Sequence, residues 1–155
     1  MVELDEVDRR ILAELLADGR ASQRKLASLI GVAQGTVTNR LTRMTDLGII
    51  RGYHVDLDPQ LVGWSMTVLI GLRIDKRSIL SVQSEVAADN RVCSVYDVTG
   101  EFDSMVVARV RDPDDLNDLT KNVLSIEGIS RSSTHVVLNT VKESYSGMPE
   151  NTGRE

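Results

Sequence analysis

The stretch from Ser22 to Ile50 constrains the fold most, because it holds two short runs of helical apolar spacing hinged on one glycine. In the first run Leu26, Leu29 and Ile30 fall on one helical face. Ser22 precedes them, where its hydroxyl can accept a bond from a free first-turn amide. Gly31 supplies the positive φ that ends a helix sharply. In the second run, Gln34 to Leu47, the residues Val37, Leu41 and Met44 form another apolar stripe. Two amphipathic helices about a tight glycine turn make a helix-turn-helix.

The outward side of the second helix carries Gly35, Thr36, Thr38, Asn39, Thr42 and Arg43, with Arg40 on its flank. No acid interrupts this face before Asp46, whereas an ordinary solvated face mixes both charge signs. Short hydrogen-bonding side chains beside arginine suit the base edges and phosphates of a major groove. The whole chain has a net charge of −5. Between Arg20 and His54, however, six cations (Arg20, Arg24, Lys25, Arg40, Arg43, Arg51) face only Asp46, a local balance of +5. One surface is therefore expected to meet double-stranded DNA, through Arg24, Gln34, Thr36, Thr38, Asn39, Arg40, Thr42, Arg43 and Arg51. Salt should weaken that contact, by a slope of about −0.9 in log affinity against log salt for each phosphate neutralised.

At 155 residues the chain can make one ordinary domain or two small ones. Apolar content of 41% supports packed cores, and 3% aromatic content makes those cores aliphatic. No apolar run approaches the ~20 residues needed to cross a bilayer. The acidic start, Met1 to Glu6, is unlike a signal or transit peptide. The lone Cys93 has no partner for an internal disulfide, which suits a reducing interior. A cytoplasmic, nucleoid-associated protein with no membrane contact is expected.

In chain order, Leu4 to Ala17 reads as a first helix, capped by Asp5, with Leu4, Val7, Ile11, Leu12 and Leu15 as its apolar stripe. After the helix-turn-helix, Ile49 to Val55 reads as two extended pieces about Gly52, a small wing. Residues 1–55 thus form a winged helix-turn-helix domain, and 56–63, punctuated by Asp58, Pro59 and Gly63, a linker. From Trp64 the period changes to two: Met66, Val68, Ile70, Leu72 and Ile74 alternate as a strand. Ile79, Val82 and Val86 mark a helix, Val92 to Thr99 a strand, Gly100 to Asp103 a turn and Ser104 to Arg111 a third strand. Asp112-Pro113-Asp114-Asp115 opens another helix with core face Leu116, Leu119 and Val123. Gly128 breaks it, and Ile129 to Val141 is the last strand. The order is βαββαβ, so the class is α+β and the second domain, 64–145, is ferredoxin-like (ACT-like). Residues 146–155 are polar, rich in breakers and expected to be disordered.

Both faces of that sheet are apolar in sequence, Val106/Ala108/Val110 against Met105/Val107, and Val136/Leu138 against Val137/Val141. Helices can cover only one face, so the other calls for a partner. Sheet-to-sheet pairing into a homodimer is the economical answer.

Taken together, Leu4 to Leu12, Asp18-Gly19-Arg20, Leu26-Ala27, Gly31-Val32, Thr36-Val37, Leu47 to Tyr53, Val98 to Asp103 and Thr134 to Leu138 resemble the Lrp/AsnC (feast/famine) family of transcriptional regulators over nearly the whole chain. The resemblance implies C-terminal domains that pair as homodimers and assemble further, up to a tetramer of dimers. It also implies a small effector, usually an amino acid, held between dimers near a Gly-x-x-Asp loop. Carried onto this chain, that loop is Gly100, Glu101, Phe102 and Asp103, with Ser132 and Thr134 as neighbours by analogy. Arg40 and Arg43 match arginines common in the family's recognition helix.

Two departures stand out. The family often opens its recognition helix with Ser-Pro; Ala33-Gln34 provides neither the cap nor the proline, which loosens that helix end by ~1 kcal/mol. Ser104 follows Asp103, where a large apolar residue is frequent.

Rival readings are a decarboxylase-like enzyme on the same fold, since some proteins resembling the family decarboxylate tetrapyrrole precursors, and an architectural DNA-organising protein. The two histidines, His54 and His135, make no catalytic cluster, and no metal-ligand spacing or phosphate loop is visible. Hence no catalytic residue, metal or cofactor is assigned beyond the small-molecule effector. Gly100 to Asp103 as a plain β-turn is the alternative to a ligand loop.

Overall fold

The computed structural model describes residues 3–144 and 146–149, and the chain divides into two compact units. One comprises the chain to Val55, with which the segment from Lys142 is grouped; the other runs Asp56–Val141. The expected tail falls partly outside the described residues, and the part within them, 146–149, has no regular structure.

The first unit is three helices: α1 (Glu6–Ala17), α2 (Gln23–Ile30) and α3 (Gln34–Asp46). α1 starts at Glu6, two residues beyond the expected Leu4, because Asp5 caps it: its carboxylate accepts the Asp8 amide at 2.9 Å while the Asp8 carboxylate accepts the Asp5 amide at 3.3 Å. Ser22 Oγ accepts the Lys25 amide at 3.1 Å, and Gly31 closes α2 at φ 80°. Ala33 occupies the N-cap of α3 with no side-chain cap bond. Ile11, Leu26, Ala27, Ile30, Val37 and Met44 are the buried core, with Leu4, Val7, Leu12, Leu15, Leu41, Ile49 and Ile50 packed around it. Leu29, expected on the inner stripe, is instead half exposed. One turn of α2 offers three positions to the core, and Leu26, Ala27 and Ile30 take them.

The wing expected at Ile49–Val55 forms no strand ladder. The amides of Ile49 and Ile50 both bond to the Met44 carbonyl, at 2.9 and 3.1 Å, ending α3 through Gly48 at φ 71°. Those donors are thereby withdrawn from strand pairing, and the chain continues without regular structure, exposed at Tyr53 and Val55.

The second unit contains β1 (Met66–Ile74), α4 (Ile79–Ala87), β2 (Val92–Asp97), β3 (Ser104–Val110), α5 (Pro113–Leu124) and β4 (Ile129–Val136). The sheet is antiparallel in the order β2-β3-β1-β4, the ferredoxin-like arrangement. Val68, Ile70, Leu72 and Ile74 of β1 and Val106, Ala108 and Val110 of β3 face Val82 and Val86 of α4 and Leu119 and Val123 of α5 in one buried core. Both helices therefore cover the same face. Among the described residues, eleven apolar residues form this buried core against six in the helical unit.

β4 ends at Val136, five residues short of the expected Val141. Its only partner, β1, begins at Met66, and beyond the Val137 amide on the Thr67 carbonyl (2.9 Å) there is nothing to pair with. Leu138 and Val141 are accordingly exposed. β2 likewise stops at Asp97 rather than Thr99.

Candidate functional site

Helix α3 is held on both flanks. On one, Thr38 Oγ1 lies 2.6 Å from Gln23 Oε1 of α2 and 3.1 Å from the Gln34 carbonyl. On the other, Arg40 and Arg43, one turn apart, reach the same carboxylate on α1. Arg40 Nη1 donates to Asp8 Oδ1 at 3.1 Å and to Asp5 Oδ2; Arg43 Nη1 donates to Asp8 Oδ2 at 2.9 Å. Arg43 Nη2 adds a bond to the Glu3 carbonyl at 3.3 Å. Asp8 is completely buried, whereas the two arginine side chains keep 30% and 44% of their exposure. The Asp8 amide and then the Arg40 guanidinium hold the Asp5 carboxyl below the usual carboxylate range; in return Asp5 and then Asp8 raise the Arg40 guanidinium.

Arg40 and Arg43, both expected to meet DNA, are thus ion-paired with the acids of α1 in the free chain. Counting charge within the window 20–54 leaves out the acids of α1, which the fold carries onto α3. One sequence signal pointed there: Asp8 stands four after Leu4 and three before Ile11, inside the apolar stripe, and a carboxylate so placed needs a buried cation.

The strip between the two flanks is open. Gln34, Gly35, Asn39 and Thr42 are exposed and Thr36 half-buried. Arg24 on α2 and Arg51 after α3 are exposed, with no ion-paired partner among the described residues. By contrast, Lys25 is paired with Asp18 at 2.8 Å, which raises the lysine and lowers the carboxyl.

The loop between β2 and β3 is built by Asp103. Its amide donates to the Leu72 carbonyl (2.9 Å), its carbonyl accepts the Val98 amide (3.1 Å), and its Oδ2 accepts the Ile74 amide (2.8 Å). Its carboxylate thus fastens the loop to β1. Gly100 turns the chain at φ 116°. Phe102 lies on Gly71, where a Cβ would come within 2.6 Å of the ring, so only glycine admits the aromatic there. Glu101 reaches Arg131 on β4 at 3.7 Å.

The expected effector residues do not form one cluster within the chain. Ser132 and Thr134 pair with Leu72 and Ile70, whose side chains face the helices, whereas Phe102 covers Gly71, on the other face. The alternation of the strand separates them. Ser104 is buried on the helix side and accepts a 2.6 Å bond from Gln83 Nε2 of α4, which suits a small polar residue there.

A second ionic cluster escaped the sequence reading. Arg91 donates to Asp89 (2.6 Å), Asp115 (2.9 Å) and Asp118 (2.8 Å), and Arg111 to Asp115 (3.1 Å). Arg111 and its own amide, then Arg91, hold the Asp115 carboxyl far below the usual range. An open cavity of about 540 Å³ beside them is lined by Trp64, Asn90, Arg91, Arg111, Asp112, Asp114, Asp115 and Asp118, and by none of the expected effector residues. Among the described residues no group of histidine, cysteine or acids is arranged to hold a metal, and no helix is long and apolar enough to cross a membrane.

The comparisons with known proteins follow the same division. Residues 4–51 match the winged helix-turn-helix DNA-binding model, and residues 67–147 the Lrp/AsnC ligand binding domain. The chain is 42% identical to an uncharacterized HTH-type transcriptional regulator of Pyrococcus horikoshii, over 93% of this chain and 97% of that one. It superposes on a transcriptional regulator from Neisseria meningitidis, solved as a complex with L-methionine, with a TM-score of 0.89 at 26% identity, covering 96% of this chain and 98% of that one. The feast or famine regulatory protein of M. tuberculosis, also complexed with L-methionine, matches with a TM-score of 0.88 at 27% identity over 95% and 100%. Helix-turn-helix, sheet and relatives agree: the chain belongs to the Lrp/AsnC family of helix-turn-helix transcriptional regulators.

Proposed function

We propose that this regulator binds specific DNA sites as a homodimer and that an amino acid or similar metabolite tunes the binding. The observation that carries the first part is the open strip of α3. Gln34, Thr36, Asn39 and Thr42 offer donors and acceptors on one helix with no acid among them, while Arg24 and Arg51 supply phosphate contacts. Thr38 supports the strip from its flank through Gln23. The dimer closes through the uncovered face of the sheet, where Leu69, Met105, Val107 and Tyr96 give an apolar patch that the helices leave open. The effector reading rests on the two methionine-bound relatives and on the loop Gly100–Asp103. Ser132 and Thr134 lie on the helix side of the sheet, away from that loop, so they join the site only where a second subunit brings its own loop to them. The protein acts in the cytoplasm, on the nucleoid, and the reading assigns it no catalytic step.

Genome-wide occupancy with and without added amino acids, methionine first, tests the proposal. Discrete sites that persist over excess random DNA by ~10³-fold or more are expected. Even coverage without preferred sites would mark an architectural protein instead.

A further inference from the structure

Asp8 is the only fully buried acidic side chain of the helical unit among the described residues, and it carries two arginines of the recognition helix at once. Each takes a different oxygen, at 3.1 and 2.9 Å, and Asp5 takes the remaining reach of Arg40. Two attachments one helical turn apart fix α3 in rotation and in register against α1, as a single bond could not. The four side chains, two acids and two bases, sum to no net charge.

Resting on the DNA-binding reading above, we infer that Asp8 is the positioning residue of the recognition helix. With Asp5 it converts Arg40 and Arg43 from phosphate anchors into a neutral clamp, so that Arg24 and Arg51 carry the electrostatic attachment to the duplex. The clamp aims Gln34, Thr36, Asn39 and Thr42 at the groove. It also keeps two cations of the recognition helix from binding every sequence alike, because contacts to phosphate carry no sequence information.

Salt dependence of binding separates a clamp from an anchor, because its slope counts phosphates neutralised rather than affinity lost. The probe is a random-sequence duplex long enough for two adjacent major grooves, titrated with the full chain over a series of salt concentrations. The variant Asp5→Asn/Asp8→Asn/Arg40→Gln/Arg43→Gln keeps the net charge and leaves an asparagine at the cap. Its slope should equal that of the wild type. Arg24→Gln/Arg51→Gln alters only exposed side chains, so folding is not at issue, and its slope should fall by about 3.6 for the bound dimer, two phosphates per subunit at about 0.9 each. Asp8→Asn alone frees Arg43, while Arg40 keeps Asp5, and should steepen the slope and narrow the preference for specific over random DNA.

A quadruple variant whose slope drops by about 3.6, as loss of two phosphate anchors per subunit requires, overturns the inference and leaves the DNA-binding reading standing. An Arg24→Gln/Arg51→Gln chain with an unchanged slope overturns it too, even if the quadruple variant does not fold. A wild-type chain that retains no duplex at low salt removes both.

Discussion

The helical unit and the sheet unit each bury an aspartate between two arginines, and they use the pair in opposite ways. In the helical unit Asp8 lies inside the apolar stripe of α1, and its arginines come from a different helix more than thirty residues away. There the pair decides how one element is set against another. In the sheet unit Asp115 is local to Arg111, four residues before it, and the ladders β1–β3 and β1–β4 already fix every register. The second network closes the edge of a structure that eleven buried apolar residues hold together. A small core leaves orientation to polar contacts, whereas a large sheet does not.

Core truncations mark the outer limit of that contrast. Leu72→Ala should cost the sheet unit about 3–4 kcal/mol, and Ile11→Ala should cost the helical unit about the same. The helical unit, with six buried residues, has less reserve, so Ile11→Ala should unfold it near room temperature while Leu72→Ala only lowers a melting transition. Domain-resolved thermal melts by NMR would show this, and equal shifts in both units would contradict it.

Asp8→Ala comes next. Removing a buried acid that holds two charged partners should destabilise the helical unit by about 2–3 kcal/mol, below the usual range for a broken buried pair because the arginines are partly solvated. The sheet signals should stay in place. Asp115→Asn should cost the sheet unit less, about 2 kcal/mol, since Arg111 is exposed and its loss of a partner is screened.

The same residue predicts an acid response. The folded Asp115 carboxyl is held below its ordinary value, so its stabilisation is complete above about pH 4, the unfolded value, and is lost as pH falls through the lowered one. Arg91 and Arg111 do not titrate in that range. Asp115→Asn should therefore flatten the acid limb of the sheet unit's stability curve, read by urea melts at a series of pH values. An unchanged acid limb would assign that limb to other carboxylates.

The smallest expected effect is a gain. Ala33→Ser restores an N-cap hydroxyl to α3 and should add about 0.5–1 kcal/mol to the helical unit, with no change in the sheet. A null result would mean that the clamp and the Thr38–Gln23 bond already hold the start of that helix.

Much of this was legible in the sequence for reasons of period. Leu26/Ile30 and Val37/Leu41/Met44 recur as helices must, Met66 to Ile74 alternate as a strand must, and Gly31, Gly100 and Gly128 stand where φ is positive. The strand end expected at Val141 fails for a physical reason: strand character needs a partner, and beyond the Val137 amide β1 offers none.

By itself the sequence determined the three helices, the βαββαβ order and the acid-poor strip of α3, because side-chain period and turn residues act over a few positions. Only the tertiary structure decided which charges remain available. Asp8 is one turn from the N-terminus of α1 and far from Arg40 in the chain, yet 3.1 Å from it in space. It decided equally that Phe102 and Ser132 lie on opposite faces of one sheet. Electrostatic and ligand-binding roles depend on neighbours in space, and nothing in a local window lists those.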